Sequence, residues 1–507
     1  MSDMPAAKVH ELFQALQKKF SQYYKDIFFN DLADKTVVIV PSLTLDQQML
    51  QSITGHIHYE ERMLCMLMLL RMPRTKVIYV SSVPIDSGVI DYYLHLLPGI
   101  TGYHARQRLH LFSCYDGSAH ALTNKILCRP RLIRRIKEQI GDANLAHMVC
   151  FNVTEAEEEL SAFLDIPIYG CDSSLLPLGT KSGCRTMFKK LGIPMPEGYE
   201  NIHTVEGLVQ ALADLKKQKP LLRKAVIKMN DGFSGDGNAV FSYLDIGYED
   251  ADIVSKISES LPRTLKIVAA GMTYDTFIRK FTFMGGIVEE FIDGEWKVSP
   301  SVQCRINPLG ISDVISTHDQ VMGGESGQVF LGATFPASGE YSRDIAALGL
   351  RICRELQEQG VLGRFSIDFL SVREAGGWVH YAIEINLRKG GTTHPYLMLQ
   401  FLTDGEYDMN KGLYMMPNGQ TRCYFASDNV VSDKYKGLTP HDLIDIAMCN
   451  RLMYDGAKQS GVMFHMIGAL SQYGKLGVVC IGHSPEEAKG FFDKTIAVLD
   501  KSCMGNC

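Results

Sequence analysis

Asp368, Glu384 and Asn386 are the residues of this chain whose types and spacing best suit a divalent cation. They lie in the segment 363–395, GRFSIDFLSVREAGGWVHYAIEINLRKGGTTHP. Two stretches in it, 365–372 and 379–387, alternate apolar and polar residues, with Gly376-Gly377 between them. That is a β-hairpin signature. A hairpin centred on Gly376 sets Asp368 opposite Glu384, Ser366 opposite Asn386 and Arg364 opposite Arg388. The period of two puts them all on one face. Asp, Glu and Asn side by side offer the hard oxygen donors that Mg²⁺ prefers. The two arginines suit an anionic ligand held by such a metal. Alternation alone also describes a solvated polar face, and a slip of one residue would undo the arrangement.

Other segments add groups suited to a nucleotide. A helix is expected from Lys181 to about Gly192, followed by Pro194 and Pro196. A lysine in the first turn opposes the helix dipole, which hints at an anion to meet. A strand over 222–228 ends in Lys228 and runs into Asn230-Asp231-Gly232-Phe233-Ser234-Gly235-Asp236-Gly237, and a second strand, 239–243, follows at once. A glycine loop between two strands is neither a P-loop nor a dinucleotide-binding turn. Its backbone N–H groups can still fold over phosphates, with Lys228 in reach of a phosphate oxygen; a plain turn is the competing reading. The strand 285–292, GGIVEEFI, offers backbone donors and acceptors for an adenine edge, and Glu295 a contact for a ribose. A hairpin with exposed glutamates fits that segment equally well. The loop-rich stretch 299–336 holds Arg305, His318, Asp319 and Gln320, which are candidate substrate contacts together with His394.

The bounds are those of an ordinary globular protein of two to four domains: 507 residues, 46% hydrophobic, 21% charged. A net charge of −6 argues against a nucleic-acid-binding protein. Thirteen scattered cysteines and no signal-like start point to a reducing cytoplasm. The longest apolar run, 63–70, is too short for a bilayer and is expected to be a buried helix. Helix 1–30 should dock through Leu12, Phe13, Leu16 and Phe20. Strands at 36–40, 76–80, 108–112 and 148–151, alternating with helices, imply a parallel α/β sheet. An amphipathic helix is expected over 342–359, and a small α+β unit at the C-terminal end of the sequence.

Taken in order, Lys181 before a helix, Lys228 before a glycine hairpin, a Glu-Glu strand and then Asp368…Glu384-x-Asn386-x-Arg388 resemble the ATP-grasp superfamily over roughly 177–402. The segment EINLRKGGTTHP is similar to the corresponding motif of the peptide ligases typified by the pheganomycin ligase. The resemblance implies an α/β and α+β multidomain chain. Residues 1–176 would be a parallel-sheet pre-ATP-grasp domain, 177–405 an ATP-grasp domain and 406–507 a small α+β domain. It implies Lys181, Lys228 and the loop residues Gly232, Ser234, Gly235 and Gly237 at ATP phosphates, and Glu289, Glu290 and Ile292 around adenine, with Glu295 at the ribose. Asp368, Glu384 and Asn386 would ligate Mg²⁺ (or Mn²⁺). Arg388 would stabilise an acyl phosphate, with Arg364 a second catalytic arginine. Leu387 stands where the commoner E-x-N-P-R form has proline, which leaves the metal ligands intact. The implied activity is an ADP-forming carboxylate–amine ligase acting on an amino-acid-like carboxylate and an amine or peptide. A phosphotransferase and a non-catalytic nucleotide sensor are the alternatives. No nucleic acid or membrane partner is expected, and a homodimer would be ordinary.

Overall fold

The structure is a computed structural model that describes residues 5–503 apart from 233–236, 245, 270 and 324–328. Ser234 and Gly235 therefore lie outside the described residues. The chain begins with the helix Ala6–Tyr23, which buries Val9, Phe13, Leu16, Phe20 and Tyr23. These positions advance by alternate steps of four and three along one helix face. Leu12 falls off that line and is 38% exposed, contrary to expectation. The four expected strands form one parallel sheet in the order Leu109–Ser113, Thr75–Ser81, Lys35–Val40, Ala146–Cys150. The apolar run 63–70 lies in the 3₁₀ helix His56–Arg71, almost wholly buried between this sheet and the rest of the molecule. Among the described residues no helix is long and apolar enough to cross a membrane.

A five-stranded antiparallel sheet follows, ordered Gly198–Ile202, Gly286–Glu290, Lys224–Met229, Asn238–Ser242, Lys266–Ile267. The helices Val205–Gln218, Ile253–Thr264 and Tyr274–Met284 bury their apolar faces against it. Its glycine loop joins antiparallel neighbours, with Met229 N–H donating to Gly237 O at 3.0 Å.

The third sheet has eight antiparallel strands: Gly377–Asn386, Gly363–Glu374, Lys297–Ile306, Ser312–Gly323, Val329–Phe335, Cys423–Val431, Lys475–Gly482 and Gly461–His465. One face is apolar and packs on the helix Ser342–Glu358, with Ile345, Ile352 and Leu356 meeting Val302, Cys304 and Ile367. The other face is polar and lines the site. The last three strands come from 423–482, so the C-terminal segment extends the central sheet itself.

The hairpin register places Asp368 opposite Glu384 and Ser366 opposite Asn386, as the alternation predicts. The turn, however, is Ala375-Gly376, with Glu374 opposite Gly377. A bulge at Ile383, between the pairs Asp368–Glu384 and Phe369–Ala382, absorbs the difference. The expected pairing of Arg364 with Arg388 does not form. The strand stops at Asn386, and Lys389 N–H turns away to donate to Phe151 O at 3.1 Å. Arg364 stands opposite Arg305 of the neighbouring strand instead.

Candidate active site

A cleft of about 890 Å³ lies between the five-stranded sheet and the polar face of the eight-stranded one. Arg62 and Phe151 of the first unit close it on a third side. Lys181, Lys228, Gly232, Gly237, Glu289, Glu290, Ile292, Asp368, Glu384, Asn386 and Arg388 all line it. Residues separated by up to about 200 positions thus meet in one place.

Two structural devices hold Lys181. Asn230, beside the glycine loop, caps the helix Lys181–Leu191: its O accepts from Lys181 N–H at 3.1 Å and its Oδ1 from Ser182 N–H at 3.0 Å. Thr180 Oγ1 accepts from Gly183 N–H at 3.1 Å. A Cβ on Gly183 would stand 2.0 Å from Pro177 O, so the turn requires glycine there. The same helix docks on the hairpin, where Ile385 N–H donates to Cys184 Sγ at 3.2 Å. This sets the Lys181 ammonium against Glu384. Burial works against the lysine's charge, but Glu384 holds its pKa above the ordinary value.

Asp368 accepts from Gln320 Nε2 at 2.9 Å and from Asn386 Nδ2 at 3.0 Å. Burial, and then the Glu384 carboxylate, push Asp368 up to about 7. Burial alone would raise Glu384 too, yet Lys181, Arg388 and Lys228 hold it below the usual carboxylate range. Two facing carboxylates, one of them reluctant to ionise, are the donor set that a divalent cation would relieve. Asp368, Glu384 and Asn386 therefore fit a magnesium-type ion. On the opposite wall Lys228 pairs with Glu289, which Arg185 Nη1 also approaches at 3.5 Å. Glu290 accepts from Glu197 N–H at 2.9 Å and pairs with Lys219 at 3.2 Å. Glu295 lies in an exposed turn and is not part of the cleft lining.

The remaining expected residues lie apart from the carboxylates. Arg305 pairs with Asp313 at 2.8 Å. His318 is fully buried, bonded through Nε2 to Tyr424 Oη at 2.6 Å, and burial drives its pKa down to about 3. His394 sits behind the cleft wall, its Nε2 2.9 Å from His465 Nε2 and 3.2 Å from Asp428 Oδ1. His465 Nε2 is 2.8 Å from the same oxygen, and Arg62 Nη1 is 3.1 Å from Asp428 Oδ2. Arg62 and Asp428 carried no recognisable sequence signal, since they lie 366 positions apart in unremarkable contexts. Gln303 was also missed, although the alternation in SVQCRI marks it as facing the same way as Ser301 and Arg305.

Residues 176–258 and 249–410 match the family described as IQCH-like, ATP-grasp. Over those residues, somewhat under half of its length, the chain is similar to the ATP-grasp superfamily. Residues 442–495 match the PGM1 C-terminal domain family. Among curated relatives, the L-propargylglycine–L-glutamate ligase of Streptantibioticus cattleyicolor is 26% identical over 92% of this chain and 94% of its own length. The IQ motif-containing protein H of Danio rerio is 24% identical over 77% of this chain, which spans only 41% of that protein. The ATP-grasp fold extends to solved structures: a biotin carboxylase from Campylobacter jejuni, in a complex with a β,γ-ATP ligand, superposes with a TM-score of 0.54 at 13% identity, covering 93% of this chain and 95% of its own.

Proposed function

We propose that this protein is an ADP-forming carboxylate–amine ligase that joins an amino-acid-like carboxylate to an amine or peptide. The observation that carries the reading is the Asp368–Glu384 pair with Asn386, set in one cleft with Lys181, Lys228 and Arg388. The ligase among the curated relatives, matched along nearly its whole length, supports the same activity.

A carboxylate is a poor electrophile. Attack of its oxygen on the γ-phosphorus of ATP forms a carboxyl O–P bond, breaks the bridging O–P bond and releases ADP. The amine nitrogen then attacks the carbonyl carbon of the acyl phosphate. Phosphate leaves with the bonding pair, and the amine gives up one proton. In this reading Lys181 and Lys228 would meet the phosphates and Arg388 the charge that develops on the transferred group. Asp368, Glu384 and Asn386 would hold Mg²⁺ or Mn²⁺, which supplies Lewis-acid neutralisation of phosphate charge. The glycine loop and the cleft walls serve to exclude water from the labile intermediate. The test is phosphate and ADP release with ATP, Mg²⁺ and pooled amino acids, with and without added peptides, followed by mass spectrometry. A product mass equal to two substrates minus water supports the ligase. A stable phosphorylated substrate replaces it with a phosphotransferase, and absence of turnover despite MgATP binding replaces it with a nucleotide-binding protein.

A further inference from the structure

The polar face of the eight-stranded sheet does not end at the carboxylates. Three rungs of directly opposed residues run along the strands Gly363–Glu374 and Lys297–Ile306: Asp368 with Ser301, Ser366 with Gln303, Arg364 with Arg305. Glu384 and Asn386 extend the first two rungs on one side, and His318 and Ser316 extend them on the other. Opposed residues of an antiparallel pair share a face, so these groups form one continuous strip.

The strip is short of partners. The Gln303 side chain is 1% exposed, and neither its Nε2 nor its Oε1 makes a hydrogen bond. Ser301 Oγ, Ser316 Oγ, Arg305 Nε and Arg364 Nη1 are likewise enclosed and unbonded. Each such group is destabilising if nothing ever meets it. At the far end Arg305 is paired with Asp313, while no carboxylate pairs with Arg364 among the described residues. Burial, and then the charge of Arg305, disfavour the cationic form of Arg364. Its other ionisable neighbours include the tyrosines Tyr169, Tyr396 and Tyr24, drawn from the first unit and from the helix Thr393–Thr403, and a further buried cation, Lys389. A planar, two-pronged cation that no acid satisfies among the described residues is a receptor for a carboxylate.

We propose that Arg364 and Arg305 bind the free carboxylate of an extended, peptide-like co-substrate whose reacting end lies at Asp368 and Arg388, with Gln303 and Ser366 along its length. The assignment rests on the ligase reading and deepens it by naming the shape and charge of one substrate. Asp368 and Arg364 are four residues apart on one strand, a separation of about 13 Å. At about 3.3–3.6 Å per extended residue, a tri- to tetrapeptide matches that span. Free amino acids are too short to bridge it. Arg364 accordingly serves at the remote end of a substrate and not at the transferred phosphoryl group.

Calorimetric titration of the whole chain separates the possibilities. MgADP is titrated first; then tri-L-alanine, its C-terminal amide and L-alanine are titrated into the MgADP-loaded protein. Tri-L-alanine is expected to bind at least tenfold tighter than its amide. Arg364→Gln should erase that preference while MgADP binds as in the wild type, and Arg364→Lys, which keeps the charge but loses the fork, should retain part of it. Equal binding of acid and amide, an undiminished preference in Arg364→Gln, or no binding of either peptide to the MgADP-loaded protein would overturn the subsite. Failure of MgADP itself to bind would instead overturn the ligase reading.

Discussion

Two carboxylate clusters in the cleft wall are built on opposite principles. Asp368 faces Glu384, so that two like charges confront each other and Asp368 is pushed up to about 7. Asp428 faces Arg62 on one oxygen and two imidazoles on the other. Burial alone would raise Asp428 too, but its partners hold it well below the usual carboxylate range. In the first cluster Asp368 is left with the repulsion of its neighbour, whereas in the second Asp428 is paired on both of its oxygens. His394, itself kept neutral by burial with a pKa of about 4, belongs to the second cluster. In this cleft, unbalanced charge marks where ligands are expected, and balanced charge marks where the protein is holding itself together.

Substitutions should separate the two. The largest effect is expected at the unbalanced cluster: Asp368→Asn or Glu384→Gln should lower turnover by roughly a thousandfold or more. Asp368→Asn should leave the thermal midpoint unchanged or higher, because it removes like-charge repulsion. Full activity in either purified variant would remove both residues from the metal assignment. Asp428→Ala should do the reverse in kind, costing about 3–5 kcal/mol in denaturant unfolding because Arg62 is left buried and uncompensated. A variant as stable as the wild type would show that Asp428 is no buttress. Lys181→Met should weaken MgATP binding and also raise the pKa of Glu384, which is visible as an upward shift in the acidic limb of nucleotide binding against pH.

The smallest effect is on the pH dependence of stability. Asp368 titrates near 7 when folded and near 3.8 when unfolded, so between those values the native state holds the extra proton. Its favourable contribution is present at low pH and is lost as pH rises towards 7. Asp428 has the opposite sign: its contribution is present above its unfolded pKa and disappears on acidification through its depressed folded value. Denaturant midpoints across pH 4–7 should decline less steeply in Asp368→Asn than in the wild type, and an identical slope would contradict the raised pKa.

Much of this was legible in the sequence, for identifiable reasons. Period-two alternation gave the face of Asp368, Glu384 and Asn386, and the opposed pairs were right although the turn was placed half a residue too far along. The bulge at Ile383 made both true, and a bulge leaves no periodic trace. Two of the four parallel strands, Lys35–Val40 and Thr75–Ser81, were marked by β-branched runs, and the helix Lys181–Leu191 by its terminal Gly192, which adopts φ +59°. Long-range polar pairing was not legible. Nothing local tells Arg62 that Asp428 is its partner, nor tells Arg364 that its neighbour is Arg305 and not Arg388.

The sheet that carries the site is also the sheet that the C-terminal segment completes. Cys423–Val431 pairs with Val329–Phe335, one strand removed from Gln320 and His318. A chain cut near residue 405 would therefore not shed an appendage. It would strip Val329–Phe335 of its neighbour, leave a raw row of backbone N–H and C=O groups beside the cleft, and turn the catalytic sheet into a template for self-association.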